Sequence, residues 1–510
     1  MSSKIKAPYF PIIYVRGYAA TMSEIEETVA TPYMGFNLGS TKLRQGFDNE
    51  IHRFIFESPL LRLMKDEDYT DCYKDGDFLD REQVAPAKSI WIFRYYEKVS
   101  EDLGSGERDE IPGFARDLRV FIERIREQVC GADAEAEAEF KVYLVAHSMG
   151  GLVCRCYLQN HCPQNNLDPW VDKVFTYATP HNGIDFAGVN APDLGRLDAL
   201  HVRNFNRNTM KKYLKLPANS KRVDSLGGHF PPDRFFSFVG TNYKDYSAFF
   251  GLSKRATGPS SDGLVMMSNA TVQGAPRAFA YRSHSGHYGI VNSEEGYQNL
   301  RRFLFGQVRV DVKLLVDEIT LPPKVQDEKD DGHDIKARYN IDAAGKVRGG
   351  QVFLSERRVN QESAIRKKYE DIIGGQKPVY LFSGHLHRSA KTTRDTALAF
   401  AIEIAIEVPV YEIEHRFWFD EHFEGETLFD ETIRIELRGS GEKATVKYGL
   451  RSETGIGTAR RKAALSAPDN VGARTIEIPL GFKKGASNKP RPGFRGRLQV
   501  TARPWNVDVQ

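Results

Sequence analysis

The chain is poor in cysteine and carries almost no net charge. Only five of its 510 residues are cysteine (Cys72, Cys130, Cys154, Cys156 and Cys162), an odd number with no Cys-x-x-Cys spacing. This argues against a disulfide framework or a zinc ribbon and predicts reduced, buried thiols. Lysine and arginine (71) nearly balance aspartate and glutamate (68), so no nucleic-acid partner is expected. No window offers roughly twenty uncharged apolar residues, the length a membrane-spanning helix needs. Met1 to Pro8 contain no apolar core of a secretory signal. The expectation is therefore a cytoplasmic protein, or one exported by a signal-independent route. Metal signals are also thin. Asp327-Glu328-Lys329-Asp330-Asp331-Gly332 puts a lysine at a calcium-ligand position, and His385 and His387 have no further ligand cluster in the sequence. No cofactor or metal is expected.

Against that background residues 141–151, Lys-Val-Tyr-Leu-Val-Ala-His-Ser-Met-Gly-Gly, stand out. Val142 to Val145 have the β-branched and aromatic composition of a buried parallel strand. The run enters small-x-Ser-x-Gly and then a helix-compatible stretch from Gly151 to Leu158. A serine at such a sharp strand-to-helix turn projects its hydroxyl from the sheet beside the helix N-terminus. Ser148 is the candidate nucleophile. A serine hydroxyl needs a histidine base, itself oriented by a carboxylate. Downstream lie Ser261-Asp262-Gly263 and Ser283-His284-Ser285-Gly286-His287-Tyr288-Gly289. The order Ser148, Asp262, His287 matches serine, acid, base. Asp262 also reads as a turn aspartate before Gly263. His287 is preferred to His284, because Gly286-His287-x-Gly289 leaves the imidazole free to swing. Oxyanion donors are expected from the backbone of Met149 and of Tyr18, which follows the strand Pro11–Val15 and the turn residue Gly17.

With these residues in place the chain resembles the α/β-hydrolase superfamily, and within it the bacterial lipase and esterase group. It is also similar to GPI-inositol-deacylase-like serine hydrolases. The resemblance rests on the elbow, on Arg16-Gly17-Tyr18, and on Ala178-Thr179-Pro180-His181-Asn182-Gly183. It departs at Ala146, where a glycine is usual, and at Arg16, where a histidine is usual. Arg16 is therefore a candidate anion contact, and His181 reads as a structural residue. The resemblance covers about residues 8–306 and implies a serine ester hydrolase (lipase or carboxylesterase) acting through an acyl-enzyme on Ser148. Its expected partner is a small-molecule or lipid ester.

The expected fold class is α/β, a doubly wound, mostly parallel sheet, with a C-terminal antiparallel β-sandwich-like domain. Residues 1–306 form the catalytic domain, with lid-like insertions near 22–86 and 184–233. The aromatics of these insertions (Tyr33, Phe36, Phe47, Phe54, Phe56, Phe205, Tyr213, Phe230) read chiefly as packing residues and secondarily as an acyl-pocket lining. Phe114–Val129 has helical spacing, and Ala134–Glu139 reads as a solvated connector. Residues 307–510 form the β-rich domain, with period-two runs at 308–312, 351–354, 397–410, 432–437, 475–478 and 498–501. Its charge is uneven. Residues 401–450 hold 5 basic against 12 acidic residues, and 451–510 hold 12 against 4. Either the halves neutralise one another, or the basic segment from Lys483 to Arg497 contacts a membrane surface peripherally. No protein partner of the β-domain is indicated. Two other functional readings remain open: a phospholipase-type toxin or effector targeted by the β-domain, and an interaction protein on a degenerate hydrolase scaffold. Amide or thioester chemistry on the same residues is a further variant.

Overall fold

The computed structural model describes residues 5–506 apart from 20–21, 46–48, 75–76, 79–83, 107–108, 162–169, 187–188, 191–201, 247–257, 349, 374–376, 389–396, 415–420, 440–442, 455–458 and 482–492. The chain divides into two compact units, with the boundary between Phe305 and Gly306.

The first unit is built on a seven-stranded sheet. Across it the strands run Arg277–Ala280, Phe235–Gly240, Val171–Tyr177, Val142–His147, Ile12–Val15, Ser89–Phe93 and Thr70–Asp71. Every pairing is parallel. The four strands Ile12–Val15, Ser89–Phe93, Val142–His147 and Phe235–Gly240 are buried at every position, as both-face coverage by helices requires. The strand leading to Ser148 is the central one of the seven. Ligand sites in such sheets lie beyond the carboxyl ends of the strands, so this residue sits where chemistry is placed.

The helix expected over Phe114–Val129 spans Ile111–Cys130 and buries Phe114, Leu118, Ile122 and Ile125. Ala134–Glu139 is itself a short helix rather than an irregular connector. The Asp133 carboxylate accepts from the backbone N–H of Glu135 and Ala136, at 3.0 and 3.1 Å. An N-cap of that kind nucleates a turn that composition alone does not reveal. None of this helix is buried, so its solvated character stands. Cys72, Cys130, Cys154 and Cys156 are buried free thiols. Burial pushes the Cys156 thiol up to about 12 and Cys130 to about 11. No helix among the described residues is long and apolar enough to cross a membrane.

A fully buried arginine ties the elbow helix, Met149–Asn160, to the segment ahead of Phe235. Arg155 donates to the carbonyls of His181 (2.9 Å), Val223 (2.8 Å) and Ser225 (2.7 Å). Burial pulls its guanidinium down to about 10.

The second unit is antiparallel throughout. One sheet orders Val379–Leu386, Val308–Thr320, Gly493–Pro504 and Arg474–Gly481. The other is nine-stranded and centres on Asp334–Val347, Leu398–Glu407 and Thr427–Arg438. Their inner faces share one core, which includes Val310, Val312 and Leu498 from the first sheet and Ile402, Ile404 and Ile433 from the second. This is the sandwich-like arrangement the alternating runs imply. One expected strand is displaced: residues 351–354 are irregular, and pairing begins at Ser355–Arg357. The uneven charge is in part neutralised locally. Arg497 bonds Asp317 and Glu477, Arg495 bonds Glu318, and Arg451 bonds Asp430. Most of the basic segment proposed for membrane contact, residues 482–492, lies outside the described residues.

Arg155→Met removes three hydrogen bonds, two of them buried, while keeping the bulk of the side chain. The stability of the first unit should fall by about 3 kcal/mol, read as a lower urea midpoint. An unchanged midpoint would mean that the carbonyls find other partners.

Candidate active site

The turn between the central strand and its helix places Ser148 in a backbone conformation that non-glycine residues rarely adopt, φ 50° and ψ −124°. Such strain persists only where the surroundings over-determine it. Here the Ser148 N–H donates to Tyr177 O at 2.9 Å, and its carbonyl accepts from Thr179 Oγ1 at 2.8 Å. Neighbouring positions tolerate no side chain. A Cβ on Gly150 would strike the carbonyls of Val15 and Arg16, and one on Gly151 would strike Thr179. The sequence Ser-x-Gly-Gly is thus the consequence of packing a helix directly against two neighbouring strands.

Around Ser148 three polar side chains form a continuous line. Ser148 Oγ is 2.9 Å from His284 Nε2, and His284 Nδ1 is 2.9 Å from Asp262 Oδ2. All three residues are buried. The second carboxylate oxygen of Asp262 accepts from the N–H groups of Leu264 (3.0 Å) and Val265 (2.7 Å), which fixes its plane. The backbone N–H of His284 donates to Asp262 O at 2.9 Å, so the two loops are joined through main chain as well as side chain. Tyr246 packs edge-on against the imidazole, with ring centroids 5.4 Å apart.

The histidine in this line is His284, which corrects the expectation of His287. The physical reason lies in the loop. Gly289 N–H donates to Gly286 O at 2.9 Å, closing a tight turn in which Gly286 takes φ 85°. That turn carries His287 outward, where it is exposed. His284 instead lies before the turn, held inward by the Asp262 carbonyl.

His147, the residue before Ser148, was not singled out by its sequence pattern. Its Nε2 is 2.9 Å from the carbonyl of His284, and that acceptor fixes Nε2 as the protonated nitrogen. Burial, together with His284 and Arg16, holds the imidazole well below the ordinary histidine value, so it stays neutral. The signal available in the sequence was adjacency to Ser148 alone.

Tyr18 and Met149, expected to supply the oxyanion donors, line one cleft together with Ala19, Ile25, Val99 and Phe114. The loop over Ser148 is tightly held. Tyr95 Oη donates to Arg16 O at 2.8 Å, and Tyr96 Oη donates to Gly17 O at 3.0 Å while accepting from Ala19 N–H at 2.8 Å. Gly17 is required by close approach. A Cβ there would lie 2.9 Å from Ser148 Cβ and 2.8 Å from His147 Nδ1. Arg16, a candidate anion contact, bonds the Met34 carbonyl at 2.7 Å. His181 is fully buried, with its Nε2 3.1 Å from Thr176 Oγ1. Among the insertion aromatics, Phe205 packs edge-on against Tyr18 with centroids 5.7 Å apart. Phe36 packs on Tyr14, Phe56 on Tyr297, and Tyr213 and Phe230 are buried. Tyr33 bonds Asp71. Phe47 and the Phe54 side chain lie outside the described residues. No cluster of metal-ligating side chains is present among the described residues.

The parallel sheet, its helices and the serine elbow define a fold of α/β-hydrolase type. No family model matches the chain, and no curated protein matches it. Similar solved structures include phospholipase PlaB from Legionella pneumophila (11% identity, 82% of this chain and 91% of that one, TM-score 0.34). Others are the lin2722 product of Listeria innocua (14%, 58% and 93%, TM-score 0.27) and the metagenomic carboxyl esterase MGS0156 (14%, 55% and 66%, TM-score 0.30). Likeness at this level carries no argument about activity, and the chemistry rests on the site's own geometry.

An organophosphonate that reacts with activated serine hydroxyls should label Ser148, identified by peptide mass. Labelling should be lost in His284→Ala and kept in His287→Ala. The reverse pattern would return the base to His287.

Proposed function

We propose that the protein is a serine hydrolase that cleaves carboxylic esters through an acyl-enzyme on Ser148. The observation that carries this reading is the unbroken line of 2.9 Å contacts from Ser148 Oγ through His284 to Asp262, at a strained strand-to-helix turn. In the first half-reaction His284 Nε2 takes the Ser148 proton as Oγ attacks the ester carbonyl. Asp262 holds the Nδ1–H tautomer and stabilises the imidazolium that forms. The developing oxyanion is received by the backbone amides of Met149 and Tyr18, with the Met149 amide also at the positive end of the elbow helix. His284 then protonates the leaving alcohol. In the second half-reaction it deprotonates water, which attacks the acyl-enzyme and releases the acid and Ser148. The step draws on side chains and backbone amides of this chain alone.

The substrate side follows from the cleft. Its lining mixes Ile25, Val99, Phe114 and Met149 with Tyr96, Asp109 and Asn204, so it offers an apolar side to an acyl group and polar groups beside it. The reading is an ester of an aliphatic acid, a lipid ester included. His147 acts as a positioning residue. Its N–H holds the His284 carbonyl, and through it the ring, without itself exchanging a proton.

Ser148→Ala should lower hydrolysis of a soluble short-chain ester by at least about a thousandfold, with the thermal unfolding midpoint little changed. Asp262→Asn should be impaired nearly as severely, because the wrong imidazole tautomer is then favoured. Retained turnover in Ser148→Ala would overturn the assignment. His147→Ala should lower kcat about five- to tenfold, the worth of one buried hydrogen bond, with KM little altered. His147→Gln should recover part of the loss, since its amide can donate to the same carbonyl, and neither variant should shift the pH profile. A displaced profile would mean that His147 takes part in the proton transfer.

A further inference from the structure

A two-stranded hairpin in the first insertion stands apart from the main sheet. Its strands are Ser40–Gln45 and Ile51–Phe56, paired antiparallel. Such a ribbon is marginal unless one face packs on something. Phe56, at the base, is buried against Tyr297 with ring centroids 6.4 Å apart. The other face is uncovered. In the observed register Thr41 opposes Ile55 and Leu43 opposes Arg53, with Ile51 two residues before Arg53, so these five share one side of the ribbon. Leu43 is 64% exposed, Ile51 74% and Ile55 60%, and Leu38 just before the ribbon is 53% exposed. Four of the ten markedly exposed large apolar side chains among the described residues thus fall within nineteen consecutive positions, Leu38 to Phe56. Scattered exposed aliphatics need no explanation; a clustered set on one ribbon face does.

The charge on the hairpin has one sign where the strands are. In sequence its twelve strand residues include Lys42, Arg44 and Arg53 and no acidic residue, and of the three Arg53 falls on the uncovered face. The two acidic residues of the segment, Asp48 and Glu50, fall in the sequence between the strands. On the uncovered face Arg53 lies between Ile51 and Ile55 and opposite Leu43, and a cation set among exposed aliphatics matches the boundary of an anionic lipid layer, where apolar tips enter the acyl region and the cation remains among the headgroups.

The hairpin is also fastened to the catalytic loop. Tyr288 Oη donates to Leu43 O at 3.0 Å, and Ser40 Oγ donates to Asn292 O at 3.2 Å. Tyr288 belongs to the turn that follows His284, and Asn292 lies three residues beyond its end. A surface bound at Leu43, Ile51 and Ile55 is therefore held beside the loop that carries the base.

We infer that the exposed face of the 40–56 hairpin is a docking surface for an anionic lipid layer. Docking itself does not depend on the ester-hydrolase reading. Only its consequence, that esters in the layer are brought to Ser148, rests on that reading.

The test uses the full chain carrying Ser148→Ala, so that binding is measured without turnover. Co-sedimentation with vesicles of phosphatidylglycerol and phosphatidylcholine is compared with vesicles of phosphatidylcholine alone. The chain should bind the anionic vesicles more tightly. Leu43→Asp combined with Ile55→Asp should lower that binding by about tenfold or more. Val120→Asp, at an exposed apolar position on the helix Ile111–Cys130, should leave it unchanged. In the otherwise unaltered enzyme the double variant should keep hydrolysis of a soluble ester, which also shows that it folds. Equal binding by parent and double variant would overturn the inference, as would an equal loss in Val120→Asp. A parent that elutes as a dimer, with the double variant monomeric and vesicle binding unaffected, would assign the face to a second copy instead. Failure of the ester-hydrolase reading would show separately, as no soluble-ester turnover in the unaltered enzyme despite vesicle binding.

Discussion

The left-handed backbone at Ser148 is the constraint on which the rest of the first unit turns. A residue with a side chain is held where glycine would be comfortable, and the surrounding structure supplies what keeps it there. The Tyr177 carbonyl and the Thr179 hydroxyl clamp its peptide groups. The bare positions at Gly150 and Gly151 let the helix sit against Val15, Arg16 and Thr179. The same closeness excludes a side chain at Gly17 and brings the loop before Tyr18 over the hydroxyl. Strain at one residue and three glycines are thus parts of a single packing solution.

Orientation of the His284 imidazole is built in layers around that turn. Asp262 is fixed by two backbone N–H groups before it meets the imidazole, so its carboxylate has little freedom to lose. His284 is gripped at three places: its ring by Asp262, its N–H by the Asp262 carbonyl, and its own carbonyl by His147. His147 is kept neutral by burial, which suits a group that holds its neighbour rather than trading protons with it.

Much of this was legible in the sequence because it is local. Strand composition, the small residues of the elbow and the helix after it are neighbours in the chain, and the central strand appears where those residues require it. The choice between His284 and His287 was not local. It depends on a turn closed by Gly286 and Gly289 and on a backbone bond to Asp262, twenty-two residues away. Flexible flanking glycines suggested a mobile base, whereas they serve to turn His287 out. The helix at Ala134–Glu139 was missed because its cap, Asp133, acts through one side chain rather than through periodicity. The hairpin at 40–56 lay inside a segment marked only as an insertion. Which of its faces is covered follows from the packing of Phe56 on Tyr297, far along the chain.

A covalent intermediate on Ser148 can be trapped. The unaltered enzyme is incubated with p-nitrophenyl pivalate, whose hindered acyl group slows the second half-reaction, and is then quenched in acid for intact-mass and peptide analysis. The mass should rise by one pivaloyl group per chain, carried by the peptide that contains Ser148. Turnover of the ester with no adduct, or with the acyl group on another residue, would contradict an acyl-enzyme on Ser148.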